Sequence, residues 1–212
     1  MNELFSFSVV ALSAVFFVVD PLGVVPIFLA VTAGDSPEKM RSTARRASLT
    51  AFGLLTFFAL FGTLLFKVAG ISLGAFRVAG GILLLITGLD MLRARPSELK
   101  TSPEEEAEAT RKEDVAIVPL AVPLLAGPGA IATVMVLMSR GKGILVAVPV
   151  LLAVSVTCIA SYLILRAASL VLRVLGQSGV SILQRVMGLI LAAIAVQFVA
   201  EGVRELFNLP GA

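Results

Sequence analysis

Long apolar runs alternate with short polar connectors along this chain, and they fall into six segments, at about 5–33, 47–69, 72–92, 115–139, 143–170 and 180–207. Each is long enough for a helix to cross roughly 30 Å of hydrocarbon at about 1.5 Å per residue, and too continuous for transmembrane strands. Two of the runs are interrupted. In the first, Asp20-Pro21-Leu22-Gly23 lies in a stretch that is otherwise uncharged from Phe5 to Ala33. Asp is a preferred helix N-cap and Pro suits the first helical position, so the pattern predicts one half-helix over 5–19 and a second over 22–33, capped by Asp20. Pro26 adds a further kink. In the fourth run, Ala126-Gly127-Pro128-Gly129-Ala130 again places a proline at a helix start, and the upstream Pro119 and Pro123 each remove a backbone donor from the ladder.

The interruptions belong to a larger repetition. Pro21 and Pro128 are 107 positions apart, and Arg77-Val78-Ala79-Gly80-Gly81-Ile82-Leu83 aligns with Arg185-Val186-Met187-Gly188-Leu189-Ile190-Leu191 at 108. Three crossings per repeat is an odd number, so the second copy enters the bilayer from the opposite face, the inverted-repeat plan of many secondary transporters. The expected fold is an all-α polytopic membrane protein with six transmembrane helices in two inverted three-helix repeats, the first and fourth helices discontinuous. Residues 1–92 form the first repeat and 115–212 the second. The charged stretch 93–114 between them reads as a solvated linker, in which Ser102-Pro103-Glu104-Glu105 has the form of a capping box.

Composition supports the bilayer reading. Hydrophobic side chains make up 58% of the 212 residues and charged ones 15%, against about 25% charged in soluble domains, with a mean hydropathy of +1.02. The segment Met1-Asn2-Glu3 lacks the basic start of a cleaved signal, so the first run is expected to be retained. If the chain crosses six times, Lys39, Arg41, Arg45, Arg46, Arg93, Arg95, Lys100, Arg111, Lys112, Arg166, Arg173 and Arg185 share one side. Only Lys67, Arg77, Arg140, Lys142 and Arg204 face the other. The excess of Lys and Arg marks the cytoplasmic side, so both termini are expected to be periplasmic. The net charge of +3 follows from these loops and gives no reason to expect nucleic acid as a partner.

Chemistry is sparse. There is no His, and the single Cys158 lies in an apolar run, where it reads as a packing residue. No nucleophile-base pair, HExxH, metal cluster or phosphate loop is present, so neither catalysis, a cofactor nor a resident metal is expected. Asp20 is the deep ionisable group. It reads as a partner for a cationic substrate group or a proton carrier, and also as the cap of the second half-helix. Pro21 and Gly23 open the ladder beside it. Gly127, Pro128, Gly129 and Ala130 present the positive end of a half-helix with no acid attached, suited to an anionic group, and Thr133 one turn on offers a hydroxyl. Near the end of the sixth run, Glu201 is expected to pair with Arg204 at the interface. The substrate site is expected between the two breaks. An exporter of another small polar metabolite, a channel and a non-transporting scaffold stay open as alternatives, although two breaks at depth are costly unless they line a cavity.

The Asp20-Pro21-Leu22-Gly23 box with Pro26-Ile27-Phe28, the run from Pro119 and Pro123 through Gly127-Pro128-Gly129-Ala130-Ile131, and the Arg77 and Arg185 repeats together resemble the MarC family of bacterial and archaeal inner-membrane proteins. The likeness spans nearly the whole chain. It implies an inner-membrane location and transport of small neutral amino acids such as glycine or alanine. A proton or a sodium ion as coupling ion is left open.

Overall fold

The computed structural model describes residues 2–93, 116–141 and 143–207. Among these the regular structure is entirely helical: α1 (Asn2–Val19), α2 (Val25–Val31), α3 (Pro37–Ala69), α4 (Leu73–Leu92), a π-helix (Ala116–Leu125), α5 (Pro128–Ser139), α6 (Ile144–Arg166) and α7 (Ala168–Leu206). The charged linker, with its capping box at Ser102, lies outside the described residues apart from Arg93.

Helices α3, α4, α6 and α7 are long and apolar enough to span a membrane, whereas α1 and α5 are shorter apolar helices that end or begin at the breaks. Large apolar side chains cover the outside, including Phe5, Val68, Ile144 and Val174, each more than 70% exposed. Such a surface suits hydrocarbon and not water. The interior is packed with Val15, Val18, Phe28, Leu84, Leu125, Val134, Leu191 and Phe198, all buried.

Several elements differ from the sequence pattern. α3 begins at Pro37, ten residues before the apolar run at 47, because the polar stretch before it continues the helix beyond the apolar region. The fifth run ends as a helix at Arg166, short of 170, and α7 takes in the connector expected between the fifth and sixth runs as a separate stretch, joined to the rest where Gly176 takes φ 62° and ψ 174°, a backbone state that glycine reaches without a Cβ penalty. The stretch before the second break is a π-helix and not the α-helix drawn from the apolar run. Pro119 and Pro123 have no N–H, so the regular i→i−4 ladder cannot run through them. The wider turn closes instead with Ala126 N–H donating to the Ala121 carbonyl, five residues back, at 2.9 Å.

The most intimate helix pair is α4 with α7. A Cβ added to Gly74 would lie 3.0 Å from the Gly202 carbonyl oxygen, one on Gly81 2.9 Å from that of Ala195, and one on Gly88 3.0 Å from that of Gly188. The order of these contacts makes the pair antiparallel. Reciprocally, a Cβ on Gly188 would meet the Gly88 carbonyl at 2.7 Å, and one on Gly202 the Gly74 carbonyl at 2.7 Å. Small residues therefore bring the two backbones into contact, as they do where no hydrophobic force drives association between helices in lipid.

Candidate functional site

The first break is built by Asp20 alone. Its N–H donates to the Phe16 carbonyl at 3.0 Å, completing the last turn of α1, and the residue then turns into the left-handed region with φ 52°. Asn and Asp are the non-glycine residues that most readily stop a helix in this way. The side chain folds forward: Gly23 N–H donates to Asp20 Oδ1 at 3.0 Å, and Val24 N–H donates to the Asp20 carbonyl at 3.3 Å. One residue therefore ends one helix and caps the turn that follows. This corrects two expectations. Pro21 is not the first residue of the second half-helix, because Pro21–Val24 form a turn, and α2 contracts from 22–33 to the seven residues Val25–Val31, with Pro26 in its opening turn. The left-handed start uses up residues that an extended N-cap would have left to the helix.

Asp20 is 4% exposed. Gly23 lies against it so closely that an added Cβ would collide with Asp20 Oδ2 and with the amide Nε2 of Gln184, which reaches in from α7. In the sequence Gln184 is marked only as an amide in an apolar run immediately before Arg185. Its approach to Asp20 and Gly23 comes from packing between segments about 160 positions apart.

The second break has the composition expected of it. Gly127 is the N-cap of α5 in an extended conformation, φ −71° and ψ 171°, with Pro128 in the first turn and no side chain capping the helix. Ile131 N–H donates to the Gly127 carbonyl at 3.0 Å, and among the described residues no backbone carbonyl accepts from the N–H of Gly129 or Ala130. Those two donors and the dipole of a twelve-residue helix face the break. Thr133 is fully buried and donates back to the Gly129 carbonyl at 2.8 Å, so its hydroxyl serves the helix and is not turned toward the break. Gly129 packs on the end of α1: an added Cβ would lie 3.3 Å from Val18 Cγ2, 3.6 Å from Thr87 Oγ1 and 3.7 Å from Leu84 Cδ2. Val18 is two residues from Asp20, so the two breaks lie side by side in the interior. Of the residues singled out from the sequence, Asp20, Pro21 and Gly23 lie at the first break and Gly127, Pro128, Gly129 and Ala130 at the second, where Pro128 is exposed; Gly129 against Val18 is the approach between them.

At the far end of α5 a charged cluster fastens three helices. Arg140 donates through Nη2 to both carboxylate oxygens of Glu201, at 2.9 and 3.1 Å, and lies 5.5 Å from the ring centre of Phe198. Gln197 adds a bond to Glu201 at 3.2 Å. Arg77, at the start of α4, donates to Glu205 at 2.8 Å and to Ser139 at 3.4 Å. The expected pair of Glu201 with the local Arg204 is thus replaced by one with Arg140, because the end of α5 delivers a partly buried guanidinium to the carboxylate while Arg204 stays exposed.

A family model described as MarC family integral membrane protein matches residues 5–207. A UPF0056 membrane protein of Methanocaldococcus jannaschii is 42% identical over 200 residues, covering 92% of this chain and 95% of its own. YvbG of Bacillus subtilis, also a UPF0056 membrane protein, is 35% identical over 205 residues, covering 96% and 97%. YhcE of Escherichia coli, of the same description, is 31% identical over 192 residues, covering 91% and 89%. No solved structure matches the chain. A match over nearly the whole length, with relatives of equal length, identifies an integral membrane protein that belongs to the MarC family.

Proposed function

We propose that this chain is a secondary transporter of small neutral amino acids, glycine or alanine, bound between the two helix breaks, and that it is not an enzyme. The observation that carries the reading is the meeting of the breaks: Gly129, at the uncapped start of α5, rests on Val18, two residues from the buried Asp20. Broken helices at membrane depth are tolerated where they line a protected cavity, and paired breaks recur at the substrate sites of inverted-repeat transporters. The amino acid carboxylate is held by the N–H groups of Gly129 and Ala130, and the ammonium group is directed to Asp20. With Asp20 ionised, the first break is negative and the second fractionally positive, so a zwitterion has a single favourable orientation. A proton or a sodium ion couples the movement.

The same proposal includes six crossings in two inverted repeats in the inner membrane, with both termini periplasmic. Contacts between α4 and α7 support it. Gly88 meets Gly188 and Gly81 meets Ala195. At the offset of 108 that aligns Arg77–Leu83 with Arg185–Leu191, the image of the Gly81–Ala195 contact falls one residue from the Gly88–Gly188 contact, so the two are related to within one residue by exchange of the repeats.

Uptake of labelled glycine into proteoliposomes, with and without a pH or sodium gradient, tests the activity. Gradient-dependent uptake, competed by alanine and not by ethanolamine, is expected; ethanolamine competing as well as alanine would rule out the carboxylate anchor. Labelling of a cysteine at position 104, in a Cys158→Ala background, by an impermeant reagent outside intact cells would reverse the orientation.

A further inference from the structure

The charged cluster at the far end of α5 joins parts of the molecule that are held in different ways. α4 and α7 meet backbone to backbone at their glycines, whereas α5 meets its neighbours through side chains. A Cβ added to Gly80 of α4 would lie 3.2 Å from Ala132 Cβ and 3.8 Å from Val136 Cγ2, and Met135 fills the notch at Gly62 of α3. Apolar side chains gain little by leaving lipid for one another, so a polar contact weighs heavily in holding α5 down. Arg140 supplies that contact by donating to both carboxylate oxygens of Glu201 on α7. The two side chains are 23% and 29% exposed, so salt screens the pair less than it would one on the open surface.

Two features make this fastening reversible and confine it to one end of the molecule. Arg140 Nε is buried without a hydrogen-bond partner. A donor shut away from water opposes the closed arrangement and is relieved when the end of α5 lifts into water. At the interval of 107 that relates Pro21 to Pro128, Ser139 and Arg140 correspond to Thr32 and Ala33 at the end of α2. The hydroxyls agree, since Ser139 donates to the Val136 carbonyl at 2.6 Å and Thr32 to the Phe28 carbonyl at 2.7 Å. The cation does not: Ala33 stands in its place. We infer that the Arg140–Glu201 pair is a one-sided latch, which holds α5 against the α4–α7 pair, keeps the junction of the breaks shut on the face where Arg140 lies, and parts when the junction opens there. What the opening serves rests on the transport reading above. Gln197 steadies the acceptor by donating to Glu201 at 3.2 Å. The neighbouring bond from Arg77 to Glu205 joins α4 to α7 and so lies within the pair that stays together.

Maleimide labelling of the full chain in lipid nanodiscs tests the latch. The probe is Val136→Cys in a Cys158→Ala background, because Val136 is fully buried on α5 one turn before Arg140. Labelling should be slow with the latch intact and should rise about tenfold in Arg140→Gln and in Glu201→Gln, the change in open population that one hydrogen bond to a charged group controls. Arg140→Lys keeps the charge and should recover most of the slow rate. Glu205→Gln, which breaks only the bond between α4 and α7, should leave the rate unchanged. The control is Val154→Cys, buried in α6, which should label slowly in every variant. An unchanged rate at position 136 in both Arg140→Gln and Glu201→Gln would overturn the latch, as would an equal rise at positions 136 and 154, which marks general loosening. Arg140→Lys or Glu205→Gln labelling as fast as Arg140→Gln would overturn it too. The measurement needs neither amino acid nor gradient, so a chain that takes up no glycine can still show the latch, and glycine uptake with unchanged labelling would remove the latch alone.

Discussion

The two breaks perform one backbone operation, restarting a helix in the interior, by opposite chemical means. At the first, a buried carboxylate in a left-handed conformation folds forward to cap the Gly23 N–H, and the Gln184 amide crowds the same point. At the second, no side chain caps the helix: Gly127 extends, Pro128 opens the helix, and a π-helix upstream carries the chain past Pro119 and Pro123, which have no N–H to give to a regular ladder. A charged residue makes a break that is closed and internally satisfied. A break made from glycine and proline leaves its N–H groups available. The difference teaches that a side-chain cap and a free helix end are alternative uses of the same break, and that a chain needing both polarities in one place requires one break of each kind.

The contrast leads to predictions, ordered by the expected loss of stability. Asp20→Ala removes the cap and puts a residue without a short polar side chain at φ 52°, which together should cost about 2–3 kcal/mol. A drop in the unfolding midpoint in detergent, with loss of uptake, would be the readout; an unchanged midpoint would make the left-handed cap irrelevant. Gly23→Ala comes next, at about 2 kcal/mol, because the new methyl displaces the Asp20 carboxylate and the Gln184 amide. Trimming Gln184 to Ala in the same chain should recover part of that loss, and no recovery would show that the amide is not what the methyl strikes. Asp20→Asn should cost less than about 1 kcal/mol, since Asn caps nearly as well and tolerates the left-handed region. Glycine uptake should nevertheless disappear; wild-type rates in a normally folded variant would sink the charge-based role.

Gly129→Ala should have the smallest effect on stability, within about 1 kcal/mol either way. Its Cβ would enter near-ordinary contacts with Val18, Thr87 and Leu84, while alanine is the better helix former. If the backbone there receives the substrate carboxylate, the apparent affinity for glycine should still fall, and an unaltered affinity would move the anion site elsewhere.

Where the chain breaks could be read from the sequence because Asp, Pro and Gly act on their own backbone and immediate neighbours. Gly127 as cap and Pro128 as the start of α5 are local consequences of residue type, and so is the interruption at Asp20. What Asp20 does after the interruption was not legible, since an extended cap and a left-handed one accept the same N–H bonds and differ only in how the following turn packs. Missing donors at Pro119 and Pro123 show that the regular ladder fails, yet they do not specify which carbonyls the remaining donors find. Gln184 beside Gly23, and Arg140 in place of Arg204 beside Glu201, depend on the docking of distant helices. A local ion pair is favoured by proximity along the chain; it loses when tertiary packing brings in a cation that is less exposed to water.

The antiparallel glycine contacts between α4 and α7 carry a mechanical consequence. Gly74, Gly81 and Gly88 follow one another at intervals of seven, as do Gly188, Ala195 and Gly202 opposite them, so carbonyl oxygens of each helix rest in notches on the other. A slide of one residue would drive side chains such as Val199 or Leu92 into those notches, and a rotation would lift the backbones apart, so the two helices behave as a single spar. Were the proposed transport to expose the junction of the breaks to each side of the bilayer in turn, this spar would stay intact and the change would fall on the short, interrupted pieces α1, α2 and α5.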